Sequence, residues 1–322
     1  GTYWLFFTRG KDSRGIRSLD YNPDLDYYDI WYKQSRSLGG LQRAPEVRIS
    51  GSDGVTSAQR DIAAVQSEDG KILVFASAGY GYEPQDVEDR GIFTYTYDGI
   101  WSGPALITPP DLNGYGMGHI DALGFQGRTW VIFDYGYTLK AISRGSSEED
   151  WTQPALIADM ATIGKAIVSD GVLYVAWVPP SGDGVYLSSS GNGIDWDSTE
   201  DHVALWPGLL NWDPVLVKDA REFRLFWAPG EIDLPLEDEQ FIATTSSPAP
   251  MTPESWSDPV RVTRATGNGN SWWDFWPEPI QKGRNEGGAL ALLYTSERNP
   301  DGTSMIDGNI WMEMSIPTWI DR

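Results

Sequence analysis

The sequence of 322 residues has no cysteine and only two histidines, His119 and His202. The first absence excludes disulfides, thiolate metal sites and a cysteine nucleophile. The second excludes a multi-histidine zinc centre. Basic residues are scarce beside acidic ones: 24 Lys and Arg against 46 Asp and Glu leave a formal net charge of −22. A surface that acidic repels phosphate backbones and anionic lipid heads, which argues against nucleic acid and membrane partners. No uninterrupted apolar run reaches the roughly 18 residues of a membrane span. The first residues, Gly-Thr-Tyr-Trp-Leu-Phe-Phe, lack a basic leader pattern and read as a strand. Heptads and long 3.6-residue stripes are missing. So are a Gly-rich phosphate loop between strand and helix and a Gly-x-Ser-x-Gly elbow, so nucleotide binding and esterase chemistry have no support.

What the chain does have is 35 Gly, 21 Pro, 16 Trp and 15 Tyr, the composition of many short strands joined by turns. One motif recurs as Trp101-Ser-Gly-Pro-Ala-Leu-Ile107, Trp151-Thr-Gln-Pro-Ala-Leu-Ile157 and Trp256-Ser-Asp-Pro-Val-Arg-Val262, with Trp196 opening a copy without the proline. These tryptophans are packing residues of the repeat. Between them lies a constant order. A first strand leads through a Gly or Asp turn to a very apolar second strand (3–8, 72–77, 129–134, 173–178, 223–228, 289–295), then a third, then the Trp turn and a fourth. Four antiparallel strands repeated about every 50 residues make a propeller blade. The second and third strands recur more often than the first and fourth. The reading is therefore all-β, a single domain over 1–322: a six-bladed β-propeller of four-stranded antiparallel blades. A five-bladed ring with an extra C-terminal hairpin is the alternative. Blade one lacks an inner strand, so the chain is expected to be a fragment that continues upstream of Gly1, with any secretion signal and further domains outside these residues.

The turn Ser189-Ser-Gly-Asn-Gly-Ile-Asp-Trp196 resembles the Asp-box of the sialidase-like propeller superfamily, Ser-x-Asp-x-Gly-x-Thr-Trp. Ser189, Gly193 and Trp196 are in register, while Gly191 and Asp195 stand where the box has Asp and Thr. The resemblance implies a secreted propeller with a pocket at one end of its channel. Catalytic sialidases of that kind carry an arginine triad, a Tyr–Glu pair and an acidic acid/base. Here Arg9 and Arg60 lie at matching blade positions, without a third arginine or the Phe-Arg-Ile-Pro opening motif. The strings Arg60-Asp61, His119-Ile-Asp121, Trp212-Asp213-Pro214 and Trp276-Pro-Glu278 resemble the arabinanase-like propeller glycosidases, in which several blades each project one carboxylate.

In a propeller the residues entering the inner strands converge on the channel mouth. Asp61, Asp121, Asp213 and Glu278 are accordingly the candidate catalytic carboxylates, since glycoside hydrolysis needs one protonated and one ionised acid. Trp212, Trp227 and Trp276, together with Trp273, are candidate sugar-stacking platforms. Arg9, Arg60, His119 and Lys165 are candidates for holding substrate hydroxyls or an anionic sugar. The plainer reading is that these acids cap strand ends and the cations neutralise them. Two acidic loops, 22–29 and 299–307, offer Asp24, Asp26, Asp301 and Asp307 as oxygen ligands for Ca2+, although neither fits the twelve-residue calcium loop. The expectation is an extracellular or cell-surface protein that acts on a carbohydrate or glycan, as a glycoside hydrolase or as a non-catalytic binding or structural module.

Overall fold

The computed structural model describes residues 1–10, 28–49, 59–78, 91–109, 117–148, 150–219, 221–230, 241–263, 274–281, 290–298 and 304–314. The chain divides into two compact units, Gly1–Leu156 and Ile157–Arg322. In the first, β1 (Tyr3–Gly10), β2 (Tyr28–Ser35) and β3 (Val47–Arg48) form a three-stranded sheet. A four-stranded sheet follows from β4 (Gln59–Gln66), β5 (Ile72–Ala78), β6 (Gly91–Tyr97) and β7 (Trp101–Leu106). The third sheet has β8 (Met117–Phe125), β9 (Arg128–Tyr135), β10 (Thr138–Gly145) and β11 (Ala155–Asp159), the last running across the unit boundary.

The second unit repeats the plan. Its sheets are β12 (Thr162–Ser169), β13 (Val172–Val178), β14 (Tyr186–Ser190) and β15 (Asp197–Ser198), then β16 (Leu210–Lys218), β17 (Phe223–Gly230), β18 (Ala243–Ser247) and β19 (Val260–Arg261). A three-stranded sheet of β20 (Asp274–Gln281), β21 (Leu290–Arg298) and β22 (Ser304–Met314) ends the chain. Neighbouring strands are antiparallel, as the apolar runs separated by turns predict.

The expectation of six four-stranded blades is corrected by this pairing. Six hairpins of second and third strands do form, but only four belong to four-stranded sheets. Among the described residues the first and last sheets have three strands each. The sequence pattern already left blade one without an inner strand, and counting apolar second strands overstates the number of blades.

Alternation along the second strands explains how sheets stack. Leu73 and Phe75 of β5 join a core with Ile120, Val131, Phe133 and Ile142 of the third sheet, while Val74 and Ala76 join Ile30, Tyr32 and Ile49 of the first. Period-two side chains thus feed two cores from one strand, which is why these runs read as continuously apolar. The repeated tryptophans sit in these interfaces. Trp101 meets Phe6 edge-on at 6.2 Å and Trp151 meets Phe75 edge-on at 5.7 Å, so each packs on the preceding sheet, as expected. In the second unit Leu187, Leu216, Leu225 and Trp227 share a third core, against which Trp256 packs. Each such fully buried side chain contributes about 1.5–3 kcal/mol.

The Asp-box-like turn is held by a residue outside the expected register. Asn192 Oδ1 accepts from the N–H groups of Ile194 (2.8 Å) and Asp195 (2.9 Å), and Ser190 Oγ accepts from Gly193 N at 2.8 Å. Asn192 therefore supplies the acceptor for which position 191 has only glycine. Trp196 closes the turn by donating from Nε1 to Gly193 O at 3.1 Å.

Candidate functional site

Each of the five inner strands, β4, β8, β12, β16 and β20, is irregular at the same place. Pairing with the second strand breaks between Gln59 and Ile62, Gly118 and Asp121, Thr162 and Lys165, Trp212 and Val215, and Phe275 and Glu278. Each time two residues stand opposite one on the second strand, a bulge with one extra residue that bends the strand and re-aims its side chains. In three bulges a non-glycine residue has a left-handed backbone: His119 (φ 44°), Ile163 (φ 53°) and Asp213 (φ 50°). Such a conformation costs roughly 1–2 kcal/mol per residue, and strain of this kind gathers at functional ends of folds.

The bulges sort the candidate residues by position. Arg60, His119, Ile163, Asp213 and Trp276 occupy the first of the two bulge positions, and Asp61 the second. Asp121, Lys165 and Glu278 are the first residues paired again after it. The four carboxylates thus share one end of the inner strands but occupy three different positions.

In the first unit the site is a chain of polar contacts between β4, β8 and β9. Asp61 Oδ2 accepts from the backbone N–H of His119 at 2.9 Å, so a carboxylate of one sheet holds the bulge of the next. The His119 ring places Nδ1 2.8 Å from Asp134 Oδ2, with Asp134 buried at the end of β9. The contact with a buried carboxylate holds the ring plane and favours a proton on Nδ1. Asp121 is half-buried, and its Oδ1 accepts from Ala122 N at 2.9 Å. Three acids and an imidazole therefore stand on one bulged strand end and its neighbours, a set able to bind hydroxyls and to move protons.

In the second unit Asp213 and Lys165 are half-buried at their bulges. Trp212 packs partly buried against the core, with its indole Nε1 enclosed. Trp227 lies wholly inside that core and donates from Nε1 to Asn211 Oδ1 at 2.9 Å. For Arg9 (opposite Asp29 in β1–β2), Arg60, Trp276, Glu278 and Asp307 only the backbone is described. Asp24, Asp26, Asp301 and Trp273 lie outside the described residues. Among the described residues no group of three His, Asp or Glu side chains could hold a metal ion.

Sequence reasoning missed two residues. Asp134 follows the apolar run 130–133 near the end of β9, and an acid directly after a buried run is the signal that would have found it. Asn211, fully buried beside the β16 bulge, accepts from Trp206 N (2.8 Å) and Trp227 Nε1 and donates to Gly182 O (3.2 Å) and Leu209 O (3.0 Å). It braces the bulge that presents Asp213.

No family model and no curated protein sequence matches the chain. Solved structures do. A Hadza microbial sialidase matches with a TM-score of 0.55 at 14% identity, over 83% of this chain and 57% of that one. Penicillium chrysogenum α-L-arabinanase complexed with arabinobiose matches at 0.54 and 11% identity, over 73% and 76%. An exo-1,5-α-L-arabinanase from a bovine ruminal metagenomic library matches at 0.52 and 11%, over 80% and 93%. The chain spans only a little over half the length of the sialidase and of a Bacillus halodurans xylan β-1,4-xylosidase, 57% and 52%. At these identities the likeness speaks for the fold alone. The protein is distantly similar in structure to sialidase and to family-43 arabinanase and xylosidase β-propellers, and its small antiparallel sheets have the five-bladed, not six-bladed, architecture of the latter.

Proposed function

We propose that this is an extracellular or cell-surface, carbohydrate-acting propeller that hydrolyses a glycosidic bond with carboxylates carried at the bulged ends of its inner strands. The observation that carries the reading is the Asp61–His119–Asp134 chain beside Asp121, on a fold whose structural neighbours are glycoside hydrolases. In the first unit Asp61 and Asp121 would serve as the acid and the ionised partner, which glycoside hydrolysis requires on either side of the scissile bond. His119, oriented by Asp134, would bind a substrate hydroxyl next to them. Asp213 and Glu278 hold related positions on the second unit's bulges. The oxygen ligands proposed for Ca2+ are Asp24, Asp26, Asp301 and Asp307.

The test is a screen of aryl glycosides and a glycan array, run on wild type, Asp61→Asn, Asp121→Asn and Asp213→Asn. Loss of a general acid or base should lower turnover about 10²–10⁴-fold. Turnover undiminished in all three variants would sink the hydrolytic reading. A second reading, a non-catalytic glycan-binding or structural module, draws on one observation: Asp61 spends an oxygen on holding the His119 backbone. That reading expects glycan binding without turnover.

A further inference from the structure

A two-residue turn joins β9 to β10, with Tyr135 paired to Thr138 and only Gly136 and Tyr137 between them. The matching connections earlier in the first unit take up residues 11–27 and 79–90, so this hairpin is short where its counterparts are long. Gly136 and Tyr137 both have positive φ, 56° and 65°. Tight hairpin turns ask for that geometry, and glycine or asparagine meets it with little strain. A tyrosine there is an outlier, because its Cβ crowds the following carbonyl.

Tyr137 is 62% exposed, and among the described residues its ring has no aromatic or cationic partner. Its neighbour Tyr135, by contrast, has the Lys140 ammonium 5.1 Å from its ring centre. The turn itself is well held, with Thr138 Oγ1 donating to Tyr135 O at 2.6 Å.

The turn also lies at the bulged end of its sheet. Tyr135 stands opposite Met117 and Asp134 opposite Gly118, which puts Tyr137 three residues from the carboxylate that holds His119. At strand rise this is within about 10 Å.

We propose that Tyr137 is a sugar-stacking platform. Its ring takes the apolar C–H face of a sugar ring one step out from the Asp61–His119–Asp134 group, in a ligand that reaches the site over the short hairpin. A rigid aromatic with a polar tip suits a ring that is apolar on its face and hydroxylated at its rim. The inference rests on the carbohydrate reading above and adds to it the residue that binds the outer sugar.

The experiment titrates α-1,5-arabino-, β-1,4-xylo- and sialyl-oligosaccharides into wild type, Tyr137→Phe, Tyr137→Ala, Tyr137→Gly and Asp61→Asn, with thermal melts of each. Tyr137→Ala and Tyr137→Gly should weaken binding of the preferred oligosaccharide about five- to tenfold. Tyr137→Phe should stay within about twofold of wild type, because it keeps the ring. Tyr137→Gly should also melt higher than wild type, because glycine adopts the left-handed turn without strain. Equal affinity in Tyr137→Gly and wild type overturns the stacking role and leaves the carbohydrate reading intact. Failure of wild type to bind any of the three probes overturns both.

Discussion

Asp134 shows how much depends on single side chains at the bulged strand end. Its carboxylate is buried, and it orients the one histidine that stands beside Asp61 and Asp121. Removing it leaves an imidazole nitrogen without its acceptor, which costs about 1–3 kcal/mol. Asp134→Ala should therefore lower stability by that amount in urea unfolding and reduce glycan turnover or binding as well. Unchanged ligand response in a destabilised Asp134→Ala protein would confine the residue to a structural role. Asp61, Asp121 and His119 were legible in the sequence because each enters a first strand. Asp134 was not, because it belongs to the second strand and reaches His119 only through the register shift between Gly118 and Asp121.

At the scale of elements, the repeated Trp turns and apolar second strands were readable. β5 begins at Ile72 and β13 closes at Val178, where the expected strands do. The bulges were not readable, because nothing in their composition marks them: Ile163, a branched residue, takes a left-handed conformation as readily in place as His119. That is why four acids expected at one position are spread over three. Asn211 gives the bulge of β16 its rigidity and supplies a sharp test. Asn211→Leu would take this partner from the N–H groups of Trp206 and Trp227 and from the carbonyl of Leu209, while Gly182 O keeps the backbone N–H of residue 211. Several lost partners at 1–3 kcal/mol each predict a loss of about 3–5 kcal/mol. The denaturation midpoint should fall with its slope unchanged. A loss under about 1 kcal/mol would mean that the loop finds other partners.

For the whole molecule, charge dominates. With a net −22, self-repulsion opposes compaction, so added salt should raise the melting temperature. Acid should act through particular carboxylates. Paired hydrogen bonds from Arg128 hold Glu148 below the ordinary carboxylate range. Burial works against ionisation of Asp219, but the N–H groups of Glu222 and Arg221, with Arg224, outweigh it and lower its pKa. Hydrogen bonds from Lys71 and Ser67 bring Asp69 down to about 2. Depressed values in the folded state mean that their stabilisation is complete above about pH 5 and drains away as pH falls toward 2. Thermal melts across that interval should show a steady decline, and Arg128→Met should flatten the part owed to Glu148. A decline as steep in Arg128→Met as in wild type would remove Glu148 from the account. The blade number was less legible than the blade, since the sequence shows six apolar second strands and leaves open whether an incomplete sheet makes a blade of its own.

The brevity of the last strands has its own consequence. β15 and β19 are two residues long, so two of the four-stranded sheets offer almost no free backbone ladder to a second molecule. A protein assembled from many small sheets is exposed to fibre-like self-association, and in these two sheets the scarcity of pairing positions narrows that route before charge repulsion has to act.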